Sequence, residues 1–329
     1  MIQNTTPGTK SRITFRVLSL LALIVAFAQI TLGGVVRVTG SGLGCPDWPL
    51  CHGQIIPPFE LTTMIEYSHR LSGSLLGILT LLTLLLAWWA YRSRPWVFIP
   101  CLTAVITVIV AGIFGGVTVI TELAWGMRLI HLTLAEILIT ALVIGNVAAW
   151  RHIQKNPRRT VNTSMLKTQI QWPPVVMMLG ILLLILSGSF MVGQGYGSAC
   201  ATWPLCNGDF FPGGAAFATH MGHRYLTVII GLLIVGTVIW TLRRKEETLG
   251  VDVANAALVV SLIVQVLFGA AVVWSGFARE FKGLHLSLAT LTWMAGSYLF
   301  AVMCVPTQFQ STNSGQPKAF LSEVRESAS

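Results

Sequence analysis

Runs of roughly 20 apolar residues, separated by short polar stretches, recur along the whole chain, and a helix of that length crosses a bilayer. The pattern predicts eight spans, at about 13–36, 69–91, 96–120, 127–150, 173–195, 220–242, 254–276 and 283–305. Lipid cannot satisfy an open backbone, so spans of this kind are helices and the predicted class is all-α and polytopic.

The pattern also repeats. Cys45 and Cys51 recur as Cys200 and Cys206, each 155 positions on; His69, Arg70 and His131 recur as His223, Arg224 and His285, each 154 positions on. The stretch 115–132 aligns without gaps on 269–286, ending in His-Leu both times. Four spans per copy is an even number, so both copies enter the membrane from the same side. The expected architecture is two four-helix bundles as parallel repeats about an axis near the membrane normal. The first covers residues 1–150 and the second 168–310, with a polar, basic linker at 151–167 and a tail at 311–329. Gly33, Gly34, Gly112, Gly115, Gly116 and Gly269 are small enough to let helix backbones approach.

Composition narrows the class. Of the residues, 54% are hydrophobic and 10% charged, where ordinary soluble domains have about 25% charged. In a soluble chain a net charge of +9 would suggest nucleic acid, but its placement points to the lipid bilayer instead. Of the 21 Lys and Arg, 15 fall on one side of the spans: Lys10, Arg12 and Arg16, then Arg92 and Arg94, Arg151 to Lys167 in the linker, Arg243 to Lys245, and Lys318 and Arg325. The positive-inside rule then places both termini in the cytoplasm of a cell (inner or plasma) membrane, with no nucleic-acid partner. The first span follows a basic head, yet lacks a clear small-residue cleavage site and is needed by the repeat, so it reads as a mature helix.

Four cysteines fall on the outer, oxidising side, as two C-x5-C loops each with Trp-Pro-Leu before the second cysteine. The expected pairs are Cys45–Cys51 and Cys200–Cys206, either structural or redox-active; a single zinc ion held by all four is the alternative. Cys101 and Cys304, near inner ends, read as inert thiols. The four repeated histidines each stand where the chain turns inward from the outer face. Two per half at similar depth on different helices suits axial ligation of a haem iron, one haem per half, although a lone histidine at a helix mouth is more often an interfacial polar residue. Arg70 and Arg224 could pair with haem propionates or snorkel to the interface. His152 reads as a surface residue of the basic linker, and His52, after a loop cysteine, has no counterpart in the repeat.

Together these residues resemble the haem A synthase family: eight spans, four paired histidines, outer-loop cysteine pairs, and Glu66 three residues before His69. The resemblance implies haem b as cofactor, ligated by His223 and His285 in the C-terminal half. It implies haem O as substrate at His69 and His131, with a ring methyl oxidised to a formyl group by successive hydroxylations for terminal oxidase assembly. It makes Glu66 the catalytic carboxylate and Cys45–Cys51 the family's redox-sensitive pair, and it suggests haem O synthase as a partner. The residues agree on one point: His220 stands where the first copy has Glu66, so the second half lacks a carboxylate at that position. The competing reading of Glu66 is a helix-start residue stabilised by the helix dipole. His220 could compete with His223 or meet a propionate, Asp47 (Thr202 in the copy) could touch the substrate haem, and Glu136 is a candidate buried acid in a proton path without an assigned role. Two other classes fit the same histidines: a diheme cytochrome b exchanging electrons with quinone, and a haem transporter or chaperone. The electron acceptor, the oxygen source and the oligomeric state, a homo-oligomer included, are not given by the sequence.

Overall fold

The computed structural model describes residues 9–151, 171–244 and 249–305. Among them are eight helices: α1 (Thr9–Val38), α2 (Leu61–Tyr91), α3 (Pro95–Ile120), α4 (Trp125–Arg151), α5 (Trp172–Gly193), α6 (Ala215–Arg243), α7 (Leu249–Trp274) and α8 (Arg279–Cys304). All are long and apolar enough to cross a membrane, and no strand longer than an isolated bridge forms among the described residues. Most of the linker and the tail, with His152, Lys155, Arg158, Arg159, Lys167, Lys245, Lys318 and Arg325, lie outside the described residues.

Local chemistry sets the boundaries. Prolines occupy the first turn of α3 and α5, where a missing N–H costs nothing. After α1 and α5 the chain reverses through Gly40 (φ +71°) and Gly195 (φ +77°), a left-handed conformation suited to glycine. The following amides, Ser41 and Tyr196, donate to the carbonyls of Val36 and Met191 at 2.9 Å and close both helix ends in the same way.

The expected span starts differ from the structure in one consistent way. α2 begins at Leu61 and α6 at Ala215, several residues before the hydropathy boundaries near 69 and 220. Polar residues such as Glu66 and His220 lower the local hydropathy, yet both are buried inside helix. The four histidines sit about two turns inside their helices rather than at the mouths.

α4 and α8 pack on each other at the centre and are the most buried helices. α1 packs on α2, α4 and α8, and α5 on α6, α4 and α8, so each half lends its first helix to the other. Apolar burial contributes little between helices in lipid, and polar contacts take part of the load. Thr140 and Ser297 share a hydrogen bond at 3.0 Å, Trp293 Nε1–H donates to the Glu136 carbonyl at 2.7 Å, and the Thr290 hydroxyl donates to Glu136 Oε1 at 3.1 Å. Near the other end of α4, Asn146 exchanges hydrogen bonds with the Ser19 hydroxyl (2.9 Å) and carbonyl (3.2 Å) of α1. One contact separates the halves: α2 packs along α3, whereas the corresponding α6 and α7 barely touch.

Candidate functional site

Each repeated histidine rests on a glycine of the preceding helix. A Cβ at Gly33, Gly188 or Gly269 would lie 3.0 Å from Cε1 of His69, His223 or His285, and one at Gly115 would lie 3.3 Å from Cε1 of His131. Three of these glycines are in the set singled out for close helix packing; Gly188 is not, although it stands 155 positions after Gly33. Gly112, also in that set, has nothing within 4 Å. Within each half the two rings are close enough for their charges to interact.

Hydrogen bonds fix one ring of each pair. A carbonyl only accepts, so His131 Nδ1–H donates to the Ala111 carbonyl at 2.8 Å. The Ser187 hydroxyl spends its proton on the Leu184 carbonyl (2.7 Å) and thus accepts from His223 Nδ1–H at 2.8 Å. Both rings keep an Nε2 lone pair, the form a metal-ligating imidazole needs, with the other nitrogen anchored. The second ring of each pair is held more loosely: the Gln29 and Gln265 amides approach Nε2 of His69 and His285 at 3.4 Å, and both Nδ1 atoms are buried without a partner. Gln29 is itself held by the His69 carbonyl (3.0 Å) and by the Ser72 hydroxyl. Neither glutamine stood out in the sequence. The available signal was a lone amide in an otherwise apolar helical window.

Between α5, α6, α7 and α8, where α6 and α7 separate, lies a cavity of about 830 Å³ lined by both His223 and His285. It lies within the range of small-molecule and cofactor sites, about 300–1,000 Å³. Its walls are mainly apolar and the end toward the second cysteine loop is cationic, with Arg37, Arg224, Arg279 and Lys282 and no acidic residue in the lining. The second cysteine loop contributes Trp203, Pro204 and Leu205 to the wall. Two facing imidazoles, apolar walls, basic groups at one end and glycine seats that a Cβ would fill suit a flat, dianionic macrocycle with two axial ligands.

Both cysteine pairs are disulfides, Cys45–Cys51 and Cys200–Cys206. All four sulfurs are thus taken within their own loops, and no group of three or more metal-ligating side chains occurs among the described residues, so the zinc alternative is set aside. Cys101 is a buried thiol and Cys304 a half-buried one.

Each loop is locked to the helix beneath it. Arg70 donates to the carbonyls of Asp47 (2.7 Å), Leu50 (2.7 Å) and Cys45 (2.9 Å), and to Glu66 Oε1 at 2.7 Å. The other Glu66 oxygen accepts from the Cys45 N–H at 2.9 Å. Arg224 repeats this on the carbonyls of Thr202 (2.8 Å) and Pro204 (2.9 Å), with His220 in place of Glu66, its Nδ1 3.4 Å from the Cys200 amide and its Nε2 3.4 Å from Arg224. A carboxylate accepts both bonds, whereas a neutral imidazole has one acceptor nitrogen, so the second lock is the weaker. Glu66 is 4% exposed and His220 5%; Glu66 is a buried, fully engaged residue, not an exposed helix start. Asp47 closes its own loop, accepting from the amides of His52 (2.6 Å) and Gly53 (2.8 Å). These bonds, that from Gly53 foremost, hold its carboxyl below the usual carboxylate range. Glu136 lies away from the histidines on the α4–α8 seam, fully buried, its Oε2 without a partner.

Known proteins share this arrangement of sequence. Residues 16–220 match the model of a family described as cytochrome oxidase assembly protein. Proteins named heme A synthase are similar along most of their length. That of Alkalihalophilus pseudofirmus is 26% identical over 296 residues, covering 89% of this chain and 98% of its own. That of Halalkalibacterium halodurans is 25% identical over 305 residues, 91% and 97% of the two chains. That of Symbiobacterium thermophilum is 29% identical over 300 residues, 86% and 94%. With eight membrane-length helices, two histidine pairs on glycine seats and a family match over more than half its length, the chain is a membrane enzyme of the haem A synthase family.

Proposed function

We propose that the protein oxidises the ring methyl of haem O to a formyl group, giving haem A for terminal oxidase assembly. In this reading haem b is held by His223 and His285, and the substrate lies between His69 and His131. The cofactor, when bound, supplies reversible one-electron chemistry. The chain's residues then divide the remaining work. His223, anchored through Ser187, and His131, anchored through Ala111, are the pre-set ligands. His69 and His285, each beside a glutamine, are the adaptable ones.

The observation that carries the reading is a difference between the two sites in the residue one turn before the first histidine: a carboxylate, Glu66, in the first half against His220 in the second. With water as the oxygen donor, methyl to formyl through two hydroxylations releases four electrons and four protons (R–CH3 + H2O gives R–CHO + 4 H+ + 4 e−). A carboxylate above the first histidine pair is suited to accept protons. Protonation would weaken the bonds it accepts from Arg70 and the Cys45 amide, so proton acceptance at Glu66 is coupled to the loop closed by Cys45–Cys51. The electrons pass to an acceptor outside the chain. The basic connections support a topology with the termini in the cytoplasm and the loops on the outer side of the cell membrane.

Full engagement of Glu66 also favours a second reading, in which it only clamps the loop and the protein is a diheme electron carrier. Product analysis with Glu66→Ala separates the two. The enzyme reading expects loss of the formyl product with the haem at His223 and His285 retained, and normal formylation by this variant would rule out the catalytic role.

A further inference from the structure

The cavity that holds His223 and His285 is not built by the C-terminal half alone. Arg37, near the end of α1, lines it. α1 reaches this position because its Gly34 face presses on α8 beside the ligand: a Cβ at Gly34 would lie 2.8 Å from Leu286 Cδ2, and Val38 Cγ2 lies 3.9 Å from where a Cβ on Gly283 would be. Arg37 is one turn from Gly34 and shares that face. Its guanidinium has no hydrogen-bond or ion-pair partner among the described residues, and its Nε is buried. Arg128, a second cation, is near enough to act on it electrostatically. Leaving a guanidinium half-buried, unpaired and beside another cation is unfavourable unless an anion completes the site. Arg224 also lines the cavity, although its Nη1 already donates to the carbonyls of the second cysteine loop. Lys282, one turn before His285, lies over the Phe277 ring with Nζ 5.6 Å from the centroid.

We propose that Arg37, on the first helix of the N-terminal half, binds a carboxylate of the porphyrin held between His223 and His285, so that the cofactor pocket is completed across the seam between the halves. This rests on the reading of that cavity as a haem site. It gives the repeat a reason to exchange first helices: loss of the α1 contact with α8 would loosen the cofactor without touching either ligand.

The test is a chemical cycle on the full-length protein, comparing haem with haem dimethyl ester in the wild type, Arg37→Gln, Arg37→Lys and, as a control, Arg128→Gln. The readout is the rate of porphyrin transfer to a haem-scavenging apoglobin, alongside the visible spectrum of the doubly ligated iron. Charge-assisted hydrogen bonds of this kind predict dissociation about tenfold faster for haem in Arg37→Gln. Partial recovery is expected in Arg37→Lys, no change in Arg128→Gln, and no effect of Arg37→Gln on the dimethyl ester. Equal loss of haem and ester would assign Arg37 to the fold and overturn the proposal, as would unchanged haem dissociation. A wild type whose spectrum does not respond to His223→Ala would instead refute the haem site itself. Should Arg37→Gln not accumulate, Arg37→Lys carries the cycle, because it keeps the charge and shortens the reach; a haem-to-ester preference equal to the wild type's would then overturn the contact.

Discussion

The two halves share a plan and differ in how they close. In the first, α2 packs along α3 and Trp48 of the cysteine loop lies against Gly116, where a Cβ would stand 2.7 Å from the indole. In the second, that place is taken by the buried Ala270. Trp203 has no such seat; it packs edge-on against Trp274, with ring centroids 5.5 Å apart, and lines the open cavity between α6 and α7. The first loop thus seats its tryptophan on α3, whereas the second leaves its tryptophan on the cavity wall. The lock beneath the loop differs in the same direction, being a carboxylate and arginine in the first half and an imidazole and arginine in the second. In the function proposed above, duplication supplied both ligand pairs, and a few unmatched residues divide the labour between retaining a cofactor and working on a substrate.

The largest effect that could break this division comes from the ligands. His223→Ala should abolish the spectrum of the bound cofactor, whereas His69→Ala should leave it and remove turnover. Equal loss of haem in both would mean that the halves are not specialised. Next comes the residue that differs at the lock. Glu66→Ala should lower formylation at least a hundredfold, about the scale of general acid–base catalysis, while His220→Ala should retain most activity, as measured by haem A formation in membranes. A third comparison tests the glycine seats. Gly188→Ala forces the ring of His223 to shift, and overpacking of this kind costs about 1–3 kcal/mol. It should disturb the cofactor spectrum and lower its thermal stability, while Gly112→Ala, with open space around it, should do neither.

The smallest effect separates the loops by pH. The folded-state pKa of Asp47 is depressed, so its contribution is present above the unfolded value of about 3.9 and is lost as pH falls through the lower folded value. The first loop should thus resist reductant equally from neutral pH to about 4 and become more reducible only below that. The second loop, with Thr202 in that place, should show no such step, and Asp47→Asn should remove it from the first.

Much of this organisation is legible in the sequence, for identifiable reasons. Membrane-length apolar runs and the offsets of Cys45, His69 and His131 are properties of the chain itself, so span number, repeat and ligand candidates can be read directly. The cysteine pairs follow from a short spacing in a proline-bearing loop. Three features are not legible because they depend on how neighbouring elements turn. Glu66 and His220 depress hydropathy where the helices have already begun, which hides the true starts of α2 and α6. Arg70 and Arg224 serve the loop carbonyls, a role visible only once each loop folds back over its helix. Arg37, Gln29 and Ser187 gain their meaning from the rotation of α1 and α5 against their partners.

The most direct measurement is mass analysis of the haems extracted from purified Glu66→Ala protein produced with a haem O supply, beside the wild type. The division of labour predicts haem b together with unmodified haem O in the variant, and haem b with hydroxylated or formylated haem O in the wild type. Two unmodified b haems in both, with haem O available, would contradict it and make the protein an electron carrier.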